Sequence, residues 1–378
     1  MVKNKKISQG FTLANIKVVG VGGAGGHIIT RMAQKEGIKN AEFIAINTDA
    51  QDLEHTQARK KIYIGKTLTK GLGAGMNPEL GKQAAEENRS EISEALQGSD
   101  VIFITAGLGG GTGSFGSGVV ADIAREMGAL TIAVVTKPFA FEGAQRMKIA
   151  QEALAQLKTK VDTLVVIPND RIFNIINKDT SIIKAFEFVD DILKNAVQAV
   201  TELIVSPGII NLDFADIKAV MKDAGPAIIG IGVVSGADRA AKAVDIAVNS
   251  PLLEASIDGA KGVLFSISGG RDLKMSEIQI IAKIISDTVD PGAKVIFGAY
   301  YDRRLPVKHL KVTIIATGFG FNNLPQTTKP VSLFSSRQSE VVVEFSESDN
   351  QKEEAIEEKI KITEKTEIPS FLRRKKHR

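Results

Sequence analysis

Residues 105–118 read TAGLGGGTGSFGSG and follow an apolar run at 101–105. Seven of these fourteen residues are glycine, which permits positive φ angles and close approach of the backbone. Successive N–H groups in such a loop can converge on an anion at the start of a helix. The stretch therefore predicts a phosphate-binding loop between a strand and a helix that ends near Met127.

Two further glycine-rich stretches are expected to follow strands, at 20–26 (GVGGAGG) and 71–75 (GLGAG). Together with 107–118 they hold fifteen of the 35 glycines in the chain. A single loop of this kind is common in tight turns. Three at the carboxyl ends of strands in one domain indicate a nucleotide pocket.

Apolar strand patterns alternate with helical patterns over the first half of the chain, with strands expected at 16–21, 42–46, 61–64, 101–105, 130–135 and 163–167. This alternation predicts an α/β fold with a doubly wound, mostly parallel sheet. Residues 181–205 carry an apolar stripe at helical spacing and predict one long central helix. A smaller second α/β domain follows, with a four-stranded sheet at 227–234, 262–267, 294–300 and 311–317.

These patterns divide the chain into six expected regions: a flexible N-terminus (1–14), a nucleotide-binding domain (15–180), the central helix (181–205), a C-terminal domain (206–320), a flexible linker (321–366) and a terminal peptide (367–378). Residues 340–367 hold ten acidic and four basic residues. The peptide IPSFLRRKKHR at 368–378 then joins apolar anchors to five Arg and Lys residues. An apolar and basic peptide on an acidic tether predicts a docking motif.

Composition narrows the functional classes. The 378 residues include no cysteine, which excludes disulfides, thiolate nucleophiles, zinc fingers and iron–sulfur clusters and fits a reducing compartment. A net charge of +4 does not favour nucleic acid as a partner. No signal peptide or membrane segment is evident, so we expect a cytoplasmic protein that reaches membranes only through partners. The four histidines lack metal-ligand spacing, so no protein metal site is expected.

The first loop alone leaves an alternative open. Gly20, Gly22 and Gly25 fit the dinucleotide pattern G-x-G-x-x-G, and Asp49 ends the next strand as a ribose-binding acid would. An NAD-dependent oxidoreductase would use these residues, although it would not explain the third loop. A P-loop is disfavoured, because the glycine required five positions before Gly65 is a lysine.

The third loop resembles the GGGTG signature of the tubulin/FtsZ GTPases. Other stretches agree with the bacterial cell-division branch of that family: IKVVGVGGAGG (16–26), FIAINTDAQ (43–51), GLGAGMNPELG (71–81), VVTKPFAFEGAQRM (134–147), VIPNDR (166–171), NLDFADIKAVM (211–221), GAKGVLFSISGG (259–270) and IPSFLRRKK (368–376). The resemblance covers roughly residues 14–320 together with the terminal peptide.

The resemblance implies that GTP, with Mg²⁺, binds a set of loop residues: Gly22, Gly23, Ala24, Gly25, Gly26, His27, Asn47, Ala74, Gly75, Gly109, Gly110, Gly111, Thr112 and Gly113. It implies ribose binding by Glu142 and Arg146, whose spacing alone would indicate only an exposed ion pair within one helix. It implies guanine binding by Phe186 and Asp190, with Asn169 and Asp170 nearby, although a lone phenylalanine there would more often be a core residue.

The resemblance also implies that Asn211, Asp213 and Asp216 project into the nucleotide pocket of the next subunit, where the acids polarise the attacking water. Without it, Asp213 would be interpreted as a helix N-cap with an acid in the first turn. The implied function is a GTPase that self-assembles head to tail into the scaffold of the bacterial division ring at mid-cell. The terminal peptide would bind FtsA-like or ZipA-like membrane adaptors.

Three residues depart from the family pattern: His27 stands where asparagine is usual, Phe115 where glycine is usual, and Pro226 where a small residue is usual. His27 and Phe115 lie in the phosphate-binding loops. They leave open a tubulin-like filament that does not hydrolyse GTP.

Overall fold

The computed structural model describes residues 14–34, 38, 40–177, 179–205, 209–210, 212–250, 257–302 and 305–319. The expectations for the N-terminal segment, Asn211, the linker and the terminal peptide lie outside these residues. Within the described part of the chain, ten strands form one sheet in the order β3-β2-β1-β4-β5-β6-β7-β10-β8-β9.

The strands are β1 (Ile16–Val21), β2 (Ala41–Asn47), β3 (Lys60–Tyr63), β4 (Val101–Gly107), β5 (Leu130–Lys137), β6 (Thr163–Pro168), β7 (Gly225–Ser235), β8 (Gly262–Gly269), β9 (Lys294–Tyr301) and β10 (His309–Thr317). The helices are α1 (Gly22–Ala33), α2 (Ala50–His55), α3 (Lys66–Thr69), α4 (Pro78–Glu87), α5 (Arg89–Leu96), α6 (Ser117–Glu126), α7 (Ala144–Lys160), α8 (Ile182–Val205), α9 (Phe214–Met221), α10 (Arg239–Val248) and α11 (Met275–Thr288).

The first six strands are parallel, and the central strands β1, β4 and β5 are buried on both faces, as their nearly continuous apolar sequences require. Val19 and Val21 of β1 pack into one core cluster with α4–α7. Ile16 and Val18 point to the other face, into a cluster with α1 and α8. The doubly wound parallel arrangement predicted from the sequence is therefore confirmed.

Strands β7 to β10 extend this sheet. Three residue pairs join β6 to β7 in parallel, from Thr163 opposite Gly225 to Val165 opposite Ala227. Only β10 is antiparallel to its neighbours among the described strands. The sequence predicted four strands in this region. It did not predict that they continue the parallel sheet formed by β1 to β6.

The region between β3 and β4 contains three short helices, α3, α4 and α5. Asn88 separates α4 from α5, and its side-chain Oδ1 accepts a hydrogen bond from the Gly65 N–H at 3.0 Å. This bond ties the break to the start of α3, the single helical turn that precedes the second glycine loop. The sequence predicted that this loop directly follows its strand. In the structure, α3 lies between β3 and the loop.

The long helix α8 contacts α1 in its first half and β9 near its end. Arg31 of α1 pairs with Asp191, and the Leu203 carbonyl accepts a hydrogen bond from the Tyr300 hydroxyl at 3.4 Å. The following helix, α9, ends at Met221, whose carbonyl accepts a hydrogen bond from Thr163, the first residue of β6. The end of α9 thus lies at the amino ends of the parallel strands.

None of the helices in the described ranges is long and apolar enough to cross a membrane.

An apolar cavity of about 440 Å³ opens between α7, α8, β6 and β7, with Val166, Ile192 and Ile228 among its lining residues. Its lining includes Val165 and Ala227, the last residue pair that joins β6 to β7.

Candidate functional site

The first glycine loop is the start of α1 itself. Helix α1 begins at Gly22, directly after the last residue of β1, so the free N–H groups of its first turn face the carboxyl edge of the sheet. Gly22 has a φ of +75°, and a Cβ atom there would lie 2.9 Å from the Gly113 nitrogen. The first and third loops are therefore in contact.

The third loop continues into a π-helical turn at Thr112–Gly116. The Gly109 N–H donates to Ser114 Oγ at 2.9 Å, and the Thr112 and Thr48 hydroxyls lie 2.6 Å apart. Phe115 is only 5% exposed and joins the core cluster beneath α4–α7. Its ring therefore packs away from the loop surface, although its position in the sequence had suggested added bulk near the phosphates.

The second loop packs against the third. The Gly111 N–H donates to the Gly75 carbonyl at 2.6 Å. Gly81 of α4 also approaches closely, since a Cβ atom there would lie 2.4 Å from the Gly111 carbonyl oxygen. Ala74 is buried, whereas Gly75 is exposed with a φ of +55°. All three loops thus converge at one edge of the sheet, as the sequence predicted.

A chain of polar contacts runs along one side of these loops. Asn47 donates through Nδ2 to Asp52 Oδ2 at 2.7 Å, and His27 Nε2 lies 3.4 Å from Asp52 Oδ1. The His27 side chain is 72% exposed. Asp49 caps α2 by accepting the Asp52 N–H at 3.0 Å. The acid that an oxidoreductase would use for ribose therefore has a local structural role.

Glu142 and Arg146 form the expected pair, but not within one helix. Glu142 ends a short 3₁₀ turn, Gly143 has a φ of +102°, and α7 begins only at Ala144. The pair therefore spans the start of α7, because Gly143 with its positive φ separates the 3₁₀ turn from the helix. Arg146 Nη1 still donates to Glu142 Oε2 at 2.7 Å, and Glu142 Oε1 accepts the Phe139 N–H at 2.9 Å.

A cluster of phenylalanines surrounds the start of α8. Phe139 is fully buried, and its ring centroid lies 4.9 Å from Phe141, 5.5 Å from Phe173 and 5.3 Å from Phe186. Phe186 remains 42% exposed, so one part of its ring is held by the cluster while another part is open. Phe139 was not predicted from the sequence. The close spacing of Phe139 and Phe141 was the signal that could have indicated an aromatic cluster here.

Two polar groups near this cluster are poorly solvated. Asn169 is buried, and its Oδ1 has no hydrogen-bond partner among the described residues. Burial raises the pKa of Asp190 to about 6, while the nearby positive charges of Arg31 and His27 act in the opposite direction. Both groups have capacity for a hydrogen-bonding ligand. Asp170 is already engaged, since its Oδ1 accepts the Ala140 N–H at 3.0 Å.

Asp213 and Asp216 lie at the start of α9 and are exposed. Asp216 Oδ2 accepts the Asp213 N–H at 3.3 Å, whereas no cap hydrogen bond from the Asp213 side chain is found among the described residues. Asp213 therefore occupies the N-cap position without using its carboxylate as a cap. These acids are separated from Asp190 by the remaining length of α8, about 22 Å at 1.5 Å per residue, and by the segment that follows.

Comparisons with known proteins agree with this geometry. Residues 15–177 match the family model for the GTPase domain of the tubulin/FtsZ family, and residues 225–320 match the model for the C-terminal domain of the FtsZ family. A structure of an FtsZ dimer from M. jannaschii is 47% identical, with a TM-score of 0.78, over 85% of this chain and 95% of that chain.

Two further solved structures are similar. A point mutant of M. jannaschii FtsZ is 50% identical, with a TM-score of 0.77, over 81% of this chain and 92% of that chain. The GTPγS-bound protofilament of CetZ2 from Haloferax volcanii is 22% identical, with a TM-score of 0.69, over 80% of this chain and 92% of that chain. At that identity the CetZ2 match shows only a shared fold.

The converging glycine loops and the ten-stranded sheet, together with these matches, define a tubulin-like GTPase. Within that class, the C-terminal match and the identity to solved relatives show that the chain belongs to the FtsZ family. The predicted family, the tubulin-like fold and the GTPase activity are therefore confirmed. The oxidoreductase alternative is set aside.

Proposed function

We propose that the three loops bind the phosphates of GTP. The first turn of α1, which begins at Gly22, supplies its free backbone N–H groups, and the third loop supplies those of Gly110, Thr112 and Gly113 together with the Thr112 hydroxyl. The N–H groups of Gly109 and Gly111 are already engaged by Ser114 and Gly75, so these two residues shape the loop instead. The hydrogen bond between Gly111 and Gly75 brings Ala74 and Gly75 to the same place. Helix N-termini and glycine-rich turns present backbone donors and positive partial charge, which suit a polyphosphate.

The nucleoside would lie between α1 and α8. Phe186, held edge-on by Phe139, offers its exposed part for stacking on guanine, and Asp190 offers a carboxylate to the N–H groups of the base. The unpartnered Asn169 Oδ1 can accept a further hydrogen bond there. Glu142 and Arg146 would hold the ribose, with Asn47 and His27 on the opposite wall.

Mg²⁺ would enter with the nucleotide rather than occupy a site built by the protein. In the described ranges no group of three or more His, Asp or Glu residues could hold a metal ion. The nearby carboxylates are engaged, because Asp49 caps α2 and Asp52 accepts from Asn47. Mg²⁺ commonly keeps several waters and binds substrate phosphates. An ion held in this way does not need these carboxylates as ligands, so the residues present are compatible with it. It would neutralise charge on the phosphates during transfer.

Hydrolysis would require two subunits. The observation that carries this proposal is the separation of Asp213 and Asp216 from the pocket of their own chain by α8. A second chain stacked head to tail would place these acids, with Asn211, beside the γ-phosphate of the first. There they would orient and polarise the attacking water, which yields GDP and phosphate.

Self-assembly follows from this shared site and is consistent with relatives solved as an FtsZ dimer and a CetZ2 protofilament. We propose that the polymer forms the division ring at mid-cell in the cytoplasm. We propose GTP-binding, central-helix and C-terminal regions at 15–180, 181–205 and 206–320. The terminal peptide 368–378 would bind membrane adaptors of the FtsA or ZipA kind through its apolar and basic residues.

The GTPase rate is expected to rise more than linearly with protein concentration near the assembly threshold, because each active site needs two chains. Phosphate release measured across a concentration series, with pelleting in parallel, tests this. A strictly linear rate from the lowest concentration would contradict the shared site. Pelleting with GTP but without phosphate release would instead support the non-hydrolysing filament.

Deletion of residues 368–378 is expected to leave GTP hydrolysis and pelleting unchanged and to abolish binding to an adaptor. The peptide carries both the apolar anchors and five basic residues, so its removal takes away the whole motif. Adaptor binding measured by cosedimentation provides the readout. Loss of pelleting in the truncated chain would show that the peptide acts in assembly instead.

A further inference from the structure

Three acidic residues share one face of α8. Glu187, Asp190 and Asp191 stand at positions i, i+3 and i+4, so their carboxylates lie close together. Arg31 of α1 faces them across the helix contact. Its Nε lies 3.1 Å from Asp191 Oδ1, its Nη2 3.4 Å from Asp191 Oδ2, and its Nη1 3.5 Å from Glu187 Oε1.

Asp190 is half-buried and is the member of this group that lines a cavity. Together with His27, Arg31 and Asp52 it lines a cavity of about 280 Å³ between α1, α2 and α8. Burial raises its pKa to about 6, and the charges of Asp191 and Glu187 add to that rise. Arg31 exerts the largest opposing charge effect, followed by His27.

We propose that Arg31 is a positioning residue for guanine recognition, which keeps Asp190 ionised and in place by pairing with its two acidic neighbours. This inference rests on the proposed function, in which Asp190 binds the base. Arg31 itself extends from the helix whose first turn binds phosphate, so one helix would serve both ends of the nucleotide. The fork of its guanidinium suits two acidic partners at once.

The chemistry of guanine makes the charge of Asp190 important. Guanine presents two N–H donors on one edge, N1–H and the exocyclic amine, and an ionised carboxylate can accept from both. A protonated carboxyl group has an O–H in place of one acceptor. Binding of the base should therefore weaken as the pH falls through the pKa of Asp190.

The other charged groups that face Asp190 define the expected profile. They are His27 and Arg31 on α1, Asp52 and His55 on α2, and Glu187 and Asp191 on α8. Of the basic groups among them, the guanidinium of Arg31 keeps its positive charge throughout the pH range of the experiment.

The test is the affinity of the full chain for GDP between pH 5.5 and 8.5, measured for the wild type and for Arg31→Gln. Removing the guanidinium should raise the pKa of Asp190 by about one unit or more. GDP binding by the variant should then be about threefold weaker at pH 6.5 and nearly equal to wild type at pH 8.5. Arg31→Lys should restore most of the affinity at pH 6.5.

Arg59→Gln provides a matched control. It removes the same charge from a side chain that is 80% exposed and lies 3.9 Å from Glu42, outside the cavity. Its pH profile should match that of the wild type. If Arg31→Gln weakens GDP binding equally at every pH, or leaves it unchanged, the proposed role of Arg31 is overturned.

Asp190→Asn in the same titration separates this proposal from the one on which it rests. Affinity equal to wild type in Asp190→Asn would show that Asp190 does not bind the base, and both proposals would fail at this residue. A weakened Asp190→Asn combined with an unaltered Arg31→Gln profile would overturn the role of Arg31 alone. The expected result is a weakened Asp190→Asn and a profile for Arg31→Gln displaced to higher pH.

Discussion

Replacing Asp213 by alanine is expected to leave GTP binding unchanged and to reduce hydrolysis by at least about 100-fold. The reason is that Asp213 would act on the nucleotide of a neighbouring subunit rather than on its own. Its carboxylate is exposed at the start of α9 and makes no cap hydrogen bond within the described residues. The substitution should therefore cost less stability than the roughly 1 kcal/mol typical of a lost N-cap.

The measurements are nucleotide affinity, thermal stability and phosphate release from the same preparation. Asp245→Ala is a suitable control, because it removes an exposed acid of the same charge from α10. That variant should hydrolyse GTP at the wild-type rate. Wild-type hydrolysis by Asp213→Ala would disprove the shared-site mechanism, and loss of GTP binding would mean that Asp213 supports the pocket of its own chain.

Much of the fold could be predicted because its signals are local. Strand β1 has the bounds that its apolar run indicated, and the three glycine loops meet at one edge of the sheet as expected. The pairing of β6 with β7 was not predictable from local pattern, because it joins residues about 60 positions apart through only three pairs. The break at Asn88 also depends on a distant partner, the Gly65 N–H.

In the candidate site, too, local features were predictable and long-range contacts were not. The glycine spacing predicted that the three loops meet, but not the hydrogen bond from Gly111 to Gly75 that joins two of them. The spacing of Glu142 and Arg146 correctly indicated that the two side chains pair. It wrongly indicated that both lie in one helix, because Gly143, with a φ of +102°, separates Glu142 from α7. Arg31 carried no motif of its own, and its importance emerges only when α1 and α8 are packed together.

Replacing Gly111 by alanine is expected to weaken nucleotide binding by at least about tenfold, because it would separate two of the three loops. A Cβ atom at this position would lie 2.7 Å from the Asn77 carbonyl oxygen and 2.8 Å from both Ala74 Cβ and the Gly75 carbonyl oxygen. None of these atoms belongs to a flexible side chain, so the backbone itself must move. Overpacking of this kind commonly costs about 1–3 kcal/mol of stability.

Gly118→Ala is the matched control, since it adds the same methyl group seven residues further along. Its Cβ atom would meet the Lys160 side chain at an ordinary 3.5 Å, inside helix α6. Alanine favours a helix over glycine by up to about 1 kcal/mol, so this variant should bind GDP normally and melt at or above the wild-type temperature. GDP titration well below the melting temperature of both variants separates lost binding from lost folding. Normal affinity in Gly111→Ala would contradict the proposal that contact between the second and third loops shapes the phosphate site.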